Sequence, residues 1–505
     1  MTTLDTGTLR SLPDRVSTPG YDRARLRAGI VHLGVGAFHR SHQAMYVDRL
    51  LERGAGQDWA ICGVGVLPSD RRIADAMAAQ DCLYTLVVKH ADGTMDARVV
   101  GSIVEYLFAP ADPGAVIEKM ASETTRIVSL TVTEGGYNVD VATGEFDAAD
   151  PDVVHDRQSA SAPRTSFGLV TEALVRRRDR GLAPFAVVSC DNIQHNGDVA
   201  RRSFAAFAAL RDPRLGAWVE REVSFPNSMV DRITPVTTEE DRAQVARRFG
   251  VEDHWPVMCE PFAQWVLEDR FPLGRPPLED VGVQLVEDVE PYEAMKLRLL
   301  NAGHQALAYL GYLAGHRLVH DAAQDPLLRR FLLSYMEEEA SPTLQPVAGI
   351  DLDDYRHELI TRFSNPAVLD TLARLAVDGS ERLPKWLLPV IRGGLAARRD
   401  VRRSIAVVAG WARYAEGVDE DGRPIAVVDR RRERLTANAR RQREDPLAFV
   451  ADREIFGDLV DDERFTAPYL ATLASLHERG SRATLEAVVT GRLPTPRGPL
   501  GRAGR

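Results

Sequence analysis

What most constrains the fold of this chain is a change of pattern partway along it. Through roughly the first 290 residues, short apolar runs alternate with helical patterns, and from about Tyr292 onward the strand signals nearly vanish. The strand candidates are Ile30-Val31-His32-Leu33 and residues 59–66, 83–89, 127–132 and 185–189. Helical patterns cover 42–53, 115–121 and 168–180. Alternation of this kind predicts a parallel sheet wound with helices. The later stretches 292–314, 326–339 and 401–414 are long and amphipathic. The expected architecture is α/β: a doubly wound N-terminal domain over 1–288, then a mainly α-helical C-terminal domain over 289–505. Residues 494–505, rich in Gly, Pro and Arg, are expected to be a loose tail.

Composition narrows the function. A chain of 505 residues is too long for one ordinary core. Its net charge of -10 argues against a nucleic-acid partner, because a phosphate backbone selects basic surfaces. Residues 1–14 are polar, and no stretch approaches the roughly 20 apolar residues that span a bilayer. Cys62, Cys82, Cys190 and Cys259 are scattered, with no CxxC pair, so zinc frameworks are disfavoured and disulfides are not expected. A reducing cytoplasm is the simple expectation.

Lysine usage is unusual. Of 63 basic residues only four are lysine: Lys89, Lys119, Lys296 and Lys385. Codon bias accounts for the general pattern. Each surviving lysine is nonetheless a candidate for a task arginine cannot perform, since a partly buried lysine can lose its proton and arginine cannot.

Gly34-x-Gly36 follows a strand and precedes a helical pattern, the context of a dinucleotide-binding turn. The third glycine of the usual fingerprint is absent, and His39 stands there, so a plain strand–helix turn fits equally. Asp70, just past the second strand, can accept from an adenosine ribose and repel a 2′-phosphate, or it can cap the helix that opens at Arg71-Arg72. Those arginines can equally attract a 2′-phosphate. Two further strand ends carry polar residues, Glu134 in Thr131–Tyr137 and Asn192 in Ser189-Cys190-Asp191-Asn192. Ligands collect at such ends in open α/β sheets, though turn chemistry alone also accounts for both residues.

The sharpest constellation is Lys296-Leu-Arg-Leu-Leu-Asn301-Ala-Gly-His304. At about 100° per residue, Asn301 lies about 140° and His304 about 80° round a helix from Lys296. An amine, an amide and an imidazole then project from one half of a leucine-rich helix, where burial is costly. The alternative is an exposed polar face, which Arg298 also suggests.

These residues resemble the polyol-specific long-chain dehydrogenase/reductase family. The likeness runs from Gly29 to Gly457 and is carried by Gly34-Val-Gly-Ala-Phe-His-Arg-Ser-His-Gln43, Thr133-Glu-Gly-Gly-Tyr137, Ser189-Cys-Asp-Asn192, the segment Ser224 to Pro235, the Lys296/Asn301/His304 helix, Arg362-Phe-Ser-Asn-Pro366 and Asp378-Gly-Ser380. Local likeness at 59–65, 259–262 and 264–269 is greatest to members acting on mannitol. The resemblance implies a Rossmann-type N-terminal domain and an active site where the two domains meet. It implies NAD-dependent oxidation of a polyol to a ketose, mannitol to fructose, without a metal, by a monomer. Lys296 is implied as general base, and Asn192 and Asn301 as donors to the reacting oxygen. His304, Asp231 and Arg374 are implied as polyol-binding, with Glu134 beside the base. Gly34, Gly36, Phe38 and Asp70 are implied as cofactor contacts, with NADP the less favoured cofactor.

The chain departs from the family at Arg382, where the family's Asp-Gly-Ser-x-Lys becomes Asp378-Gly-Ser-Glu-Arg382. Arginine keeps the charge and changes the shape of this substrate-side position. Arabinitol, sorbitol or a hexuronate such as fructuronate remain alternative substrates, with Arg374 or Arg382 able to meet a carboxylate. His39 and His42 can share a helix face, but two histidines make a poor metal site. A sensor that binds the dinucleotide without turnover is the alternative of a different class.

Overall fold

The computed structural model describes residues 1–139 and 144–493. The expected tail at 494–505 lies outside the described residues. The chain divides into two compact units, Met1–Glu290 and Pro291–Arg505.

In the first unit the apolar runs become strands: β1 (Ala28–Leu33), β2 (Ala60–Gly65), β3 (Ile103–Phe108), β4 (Ile127–Leu130) and β5 (Ala186–Ser189). All pair in parallel, in the order β3-β2-β1-β4-β5. Every residue of β1, β2, β4 and β5 is buried, which is why they read as continuous apolar stretches rather than alternating ones. One face packs Leu33, Val128 and Leu130 against Phe167, Leu174 and Phe204. The other packs Ile30 and Ile61 against Met45, Val47 and Trp265. The unit is therefore a Rossmann-type, doubly wound domain. Its strand order reverses between β1 and β4, the place where such sheets collect ligands.

Two elements differ from the sequence expectation. Strand β3, Ile-Val-Glu-Tyr-Leu-Phe, lies outside the strand candidates although only Glu105 interrupts its apolar run; it is an edge strand, with Ile103 alone fully buried and Glu105 paired with Lys119. The predicted strand at 83–89 forms as Tyr84–Lys89, but outside this sheet. It pairs antiparallel with Met95–Val100 and parallel with Val257–Cys259. A further pair, β6 (Ser228–Asp231) and β7 (Gln264–Glu268), runs antiparallel with Asp231 opposite Gln264. The Ser228 hydroxyl donates to the Ser189 carbonyl at 2.6 Å, fixing β6 to the end of β5.

The second unit is helical. Among its described residues there is no strand, only the isolated bridges Leu318–Thr371 and Val418–Pro424. The expected helix at 292–314 is one continuous helical run with two π-helical segments, Lys296–Asn301 and Leu307–Gly311. The buried Glu339 carboxylate accepts from the backbone N–H of Arg403 and of Ser404, at 2.8 Å each, and so caps the helix Arg402–Tyr414. Among the described residues, no helix is long and apolar enough to cross a membrane.

Candidate active site

The first unit brings its predicted residues to one edge of the five-stranded sheet. Gly34 follows β1, Asp70 follows β2, Glu134 follows β4 and Asn192 follows β5. Gly34 has φ +91°, and a Cβ there would lie 2.2 Å from the Thr131 carbonyl oxygen. Only glycine fits the turn. The Thr131 hydroxyl donates to the Gly34 carbonyl at 2.6 Å, and His32 lies beneath, with Nε2 2.9 Å from the Thr131 hydroxyl and Nδ1 2.8 Å from the Ser129 hydroxyl. Burial draws the His32 pKa down to about 3, so the ring is neutral. It stacks on His39, centroids 3.4 Å apart, which explains an aromatic ring where the third glycine was sought.

Gly36 is exposed, and a Cβ there would meet no atom closer than 3.9 Å, so the backbone is open to a bound group. Phe38 is half-buried and stacks on His42 at 4.9 Å. The helix carrying His39 ends at Ser41, and His42 bonds the Gln264 carbonyl at 2.8 Å, so the two histidines do not share a continuous helix face. Among the described residues, no group of three or more His, Cys, Asp or Glu side chains is disposed to hold a metal ion.

Asp70 does not cap the helix at Arg71 through its side chain. Its Oδ2 accepts from the N–H groups of Val66 and Leu67, both at 2.9 Å, which aims the half-buried carboxylate at the end of β2. Arg71 lies over the Phe108 ring at 4.4 Å and Arg72 reaches Trp255 at 5.3 Å. We expect Asp70→Ala to narrow the preference for NAD over NADP about tenfold, equivalent to about 1.4 kcal/mol, as read from the two Kd values. An unchanged ratio would reduce Asp70 to its two backbone bonds.

The ends of β4 and β5 are tied together by a residue that the sequence reading did not single out. Asp191 is 8% exposed. Its carboxylate accepts from the Val132 N–H at 3.1 Å, the Thr133 N–H at 2.8 Å and the Tyr137 hydroxyl at 2.7 Å. Burial pushes its pKa up to about 6 against these donors. Thr133 has φ 65° and ψ 169°, a region essentially confined to glycine that costs about 1–3 kcal/mol. Glu134 and Asn192, on either side of this bonded cluster, are both exposed. Asp231 is buried at the end of β6. The one available signal for Asp191 was a carboxylate at the end of a fully apolar strand, which also reads as a turn residue.

In the second unit, Lys296, Asn301 and His304 are all buried, at 6%, 5% and 9% exposure. The alternative of an exposed polar face is not met, and even Arg298 is half-buried, donating to the Thr343 carbonyl at 2.6 Å. The other three lysines differ: Lys89 pairs with Asp241, Lys119 with Glu105, and Lys385 is exposed. The π-helical segment also corrects the angular argument. Bonds closing from i to i+5 put Asn301, not Leu300, one turn on from Lys296, so the two lie nearly in line rather than about 140° apart. Such bulges are frequent at functional sites. The Asn301 Nδ2 is buried without a hydrogen bond among the described residues, a donor matched to an incoming oxygen. His304 lies against Phe363 at 4.2 Å, which gives the Arg362–Pro366 motif its place.

The two predicted arginines lie on other elements of this unit. Arg374 is exposed and forks onto Asp370, an ion pair that holds its planar head. Arg382 donates to the Leu375 carbonyl at 3.1 Å and lies 5.6 Å from Trp386. The Asp378–Ser380 motif is anchored by Asp429, which accepts from both the N–H and the hydroxyl of Ser380.

Comparisons with known proteins cover both units. The family profile described as Mannitol dehydrogenase Rossmann domain matches residues 28–280, and that described as Mannitol dehydrogenase C-terminal domain matches 288–477. A mannitol 2-dehydrogenase of Neosartorya fischeri is 46% identical over 477 residues, covering 93% of this chain and 95% of that one. A mannitol dehydrogenase of Saccharomyces cerevisiae is 45% identical over 491 residues, covering 97% and 98%. Among solved structures, Pseudomonas fluorescens mannitol 2-dehydrogenase in a ternary complex with NAD and D-mannitol is 45% identical, with a TM-score of 0.87 and coverage of 97% and 100%. A D-sorbitol dehydrogenase in substrate-free form is 39% identical, with a TM-score of 0.88 and coverage of 95% and 100%.

Proposed function

The chain belongs to the mannitol dehydrogenase family, and from that premise we propose that it oxidises a polyol secondary alcohol reversibly to a ketose, D-mannitol to D-fructose, with NAD as cofactor, Lys296 as general base and no metal ion. The observation that carries this reading is Lys296 itself: the one buried lysine among the four of an arginine-rich chain, on the same π-helical segment as the amide of Asn301.

The residues present fit a dinucleotide. Gly34 and Gly36 keep side chains away from the turn, and Asp70 offers a carboxylate at the end of β2, suited to a ribose diol and hostile to a 2′-phosphate. Phe38 lines the same turn. NAD, when bound, supplies the acceptor for the hydride that leaves the carbinol carbon. Neutral Lys296 takes the hydroxyl proton at Nζ, and the amides of Asn301 and Asn192 donate to the oxygen as it passes from alcohol to carbonyl. In the reverse direction the protonated amine returns that proton. His304, Asp231 and Arg374 bind the remaining hydroxyl groups, Arg382 supplies a further cation on the substrate side, and Glu134 is assigned to the proton route. The enzyme is read as a cytoplasmic monomer.

Support for the substrate comes from relatives. The 45% identical Pseudomonas fluorescens enzyme was solved with NAD and D-mannitol, whereas the D-sorbitol dehydrogenase is less similar in sequence, at 39%. The test is NADH formation at 340 nm with mannitol, arabinitol, sorbitol and xylitol, alongside reduction of fructose and fructuronate. Turnover of mannitol and fructose is expected, unchanged after treatment with a chelator. Turnover confined to another polyol or a uronate would move the substrate and leave the chemistry. Loss of activity with the chelator, restored by a metal, would overturn the metal-free mechanism.

A further inference from the structure

We propose that Asp191 is a positioning residue: its carboxylate clamps the strained Thr133 turn to the end of β5 and thereby sets where Glu134 and Asn192 stand. The inference rests on the reading of Glu134 and Asn192 as active-site residues.

Three observations carry it. Thr133 occupies a backbone region that a β-branched residue does not adopt unless its surroundings impose it. The imposing group is identifiable, because Asp191 Oδ1 receives the Thr133 N–H at 2.8 Å while Oδ2 receives the Val132 N–H and the Tyr137 hydroxyl. The remaining supports of the turn are a bond from the Gly136 N–H to the Thr133 carbonyl at 3.0 Å and one between the Tyr137 and Ser189 hydroxyls at 2.6 Å. Asp191 adjoins Asn192 in the chain and its partner Thr133 adjoins Glu134, so the bond between them links the two segments that carry these residues.

The carboxylate is well suited to this clamp. Its two oxygens face three donors, all on the segment that follows β4, and an amide has only one oxygen to offer. In Asp191→Asn the amide oxygen can keep the paired donors Val132 and Tyr137, but the NH2 group then opposes the Thr133 N–H. The substitution preserves volume and releases the strained residue selectively. Tyr137→Phe does the reverse: it removes one donor and leaves both backbone bonds in place.

The experiment compares the full-length parent, Asp191→Asn and Tyr137→Phe by steady-state kinetics, NADH fluorescence titration and crystallography. For Asp191→Asn, kcat with D-mannitol is expected to fall about tenfold, NADH Kd to stay within about twofold, and Thr133 to leave positive φ. Tyr137→Phe is expected to keep kcat within about twofold of the parent and Thr133 at positive φ. Retention of both kcat and the positive φ in Asp191→Asn would overturn the clamp, and so would an equal loss of kcat in Tyr137→Phe. If the parent itself turns over no polyol, the family reaction fails while the Thr133 conformation in Asp191→Asn still decides the clamp.

Discussion

Lys296→Ala is expected to lower kcat by about a thousandfold or more, while the Kd for NADH, read by fluorescence titration, changes little. Proton transfer by a positioned base is the step this side chain would supply, and the proposed cofactor contacts at Gly34, Gly36, Phe38 and Asp70 are left unchanged. A lysine in water titrates near 10.4, too high to act as a base near neutrality. Removing it from solvent disfavours the charged form and draws the pKa down. Only 6% of Lys296 is exposed. The sign of the pH effect follows. With Lys296 as the proposed base, oxidation would need the neutral amine and reduction the ammonium, so kcat for the polyol is expected to rise with pH to a plateau and kcat for the ketose to fall over the same range. Both limbs should disappear in the alanine variant. The decisive companion is Lys296→Arg. This chain places arginine at 59 of its 63 basic positions, so a mere need for positive charge would be met by it. Arginine cannot release a proton in a protein. Recovery of turnover in Lys296→Arg would remove the base from the mechanism.

Gly34→Ala is expected to lower the unfolding free energy by about 3 kcal/mol or more and to weaken NADH binding at least about tenfold. Two costs add. A residue with a Cβ pays about 1–2 kcal/mol at positive φ. The new methyl would also stand 2.2 Å from the Thr131 carbonyl oxygen and 3.0 Å from its carbon. Both atoms are backbone at the end of β4, and that strand is held by β1 on one side and β5 on the other. The strain can be relieved only by opening the turn, which also breaks the bond from the Thr131 hydroxyl to the Gly34 carbonyl. Urea denaturation gives the first number and fluorescence titration the second. A variant with parental urea midpoint and parental NADH affinity would show that this turn neither demands glycine nor holds the cofactor.

The legible parts of the fold were those governed by local chemistry. Buried parallel strands β1, β2, β4 and β5 are apolar on both faces, so they stand out as continuous runs, and the Gly34-x-Gly36 turn is marked by a residue that sterics alone require. Edge strand β3 was missed although its sequence is apolar or aromatic at every position but Glu105, which meets Lys119. Tyr84–Lys89 shows the limit in another form. Its propensity for strand was plain, yet its partners were not, since pairing with Met95–Val100 and Val257–Cys259 is a choice among strands that propensity does not rank.

The same division runs through the candidate site. Sequence by itself determined the residue types and their order: an amine, an amide and an imidazole on one helical segment, polar ends on apolar strands, and a family likeness across nearly the whole chain. Tertiary structure alone decided which of four lysines is buried, that the segment from Lys296 to Asn301 is π-helical, and that Asp191 holds a turn 58 residues away rather than serving its own. A residue's neighbours along the chain set its local propensity. Its burial and its hydrogen-bond partners are set by groups distant in sequence, and those contacts exist only once the sheet and the helices have closed around them.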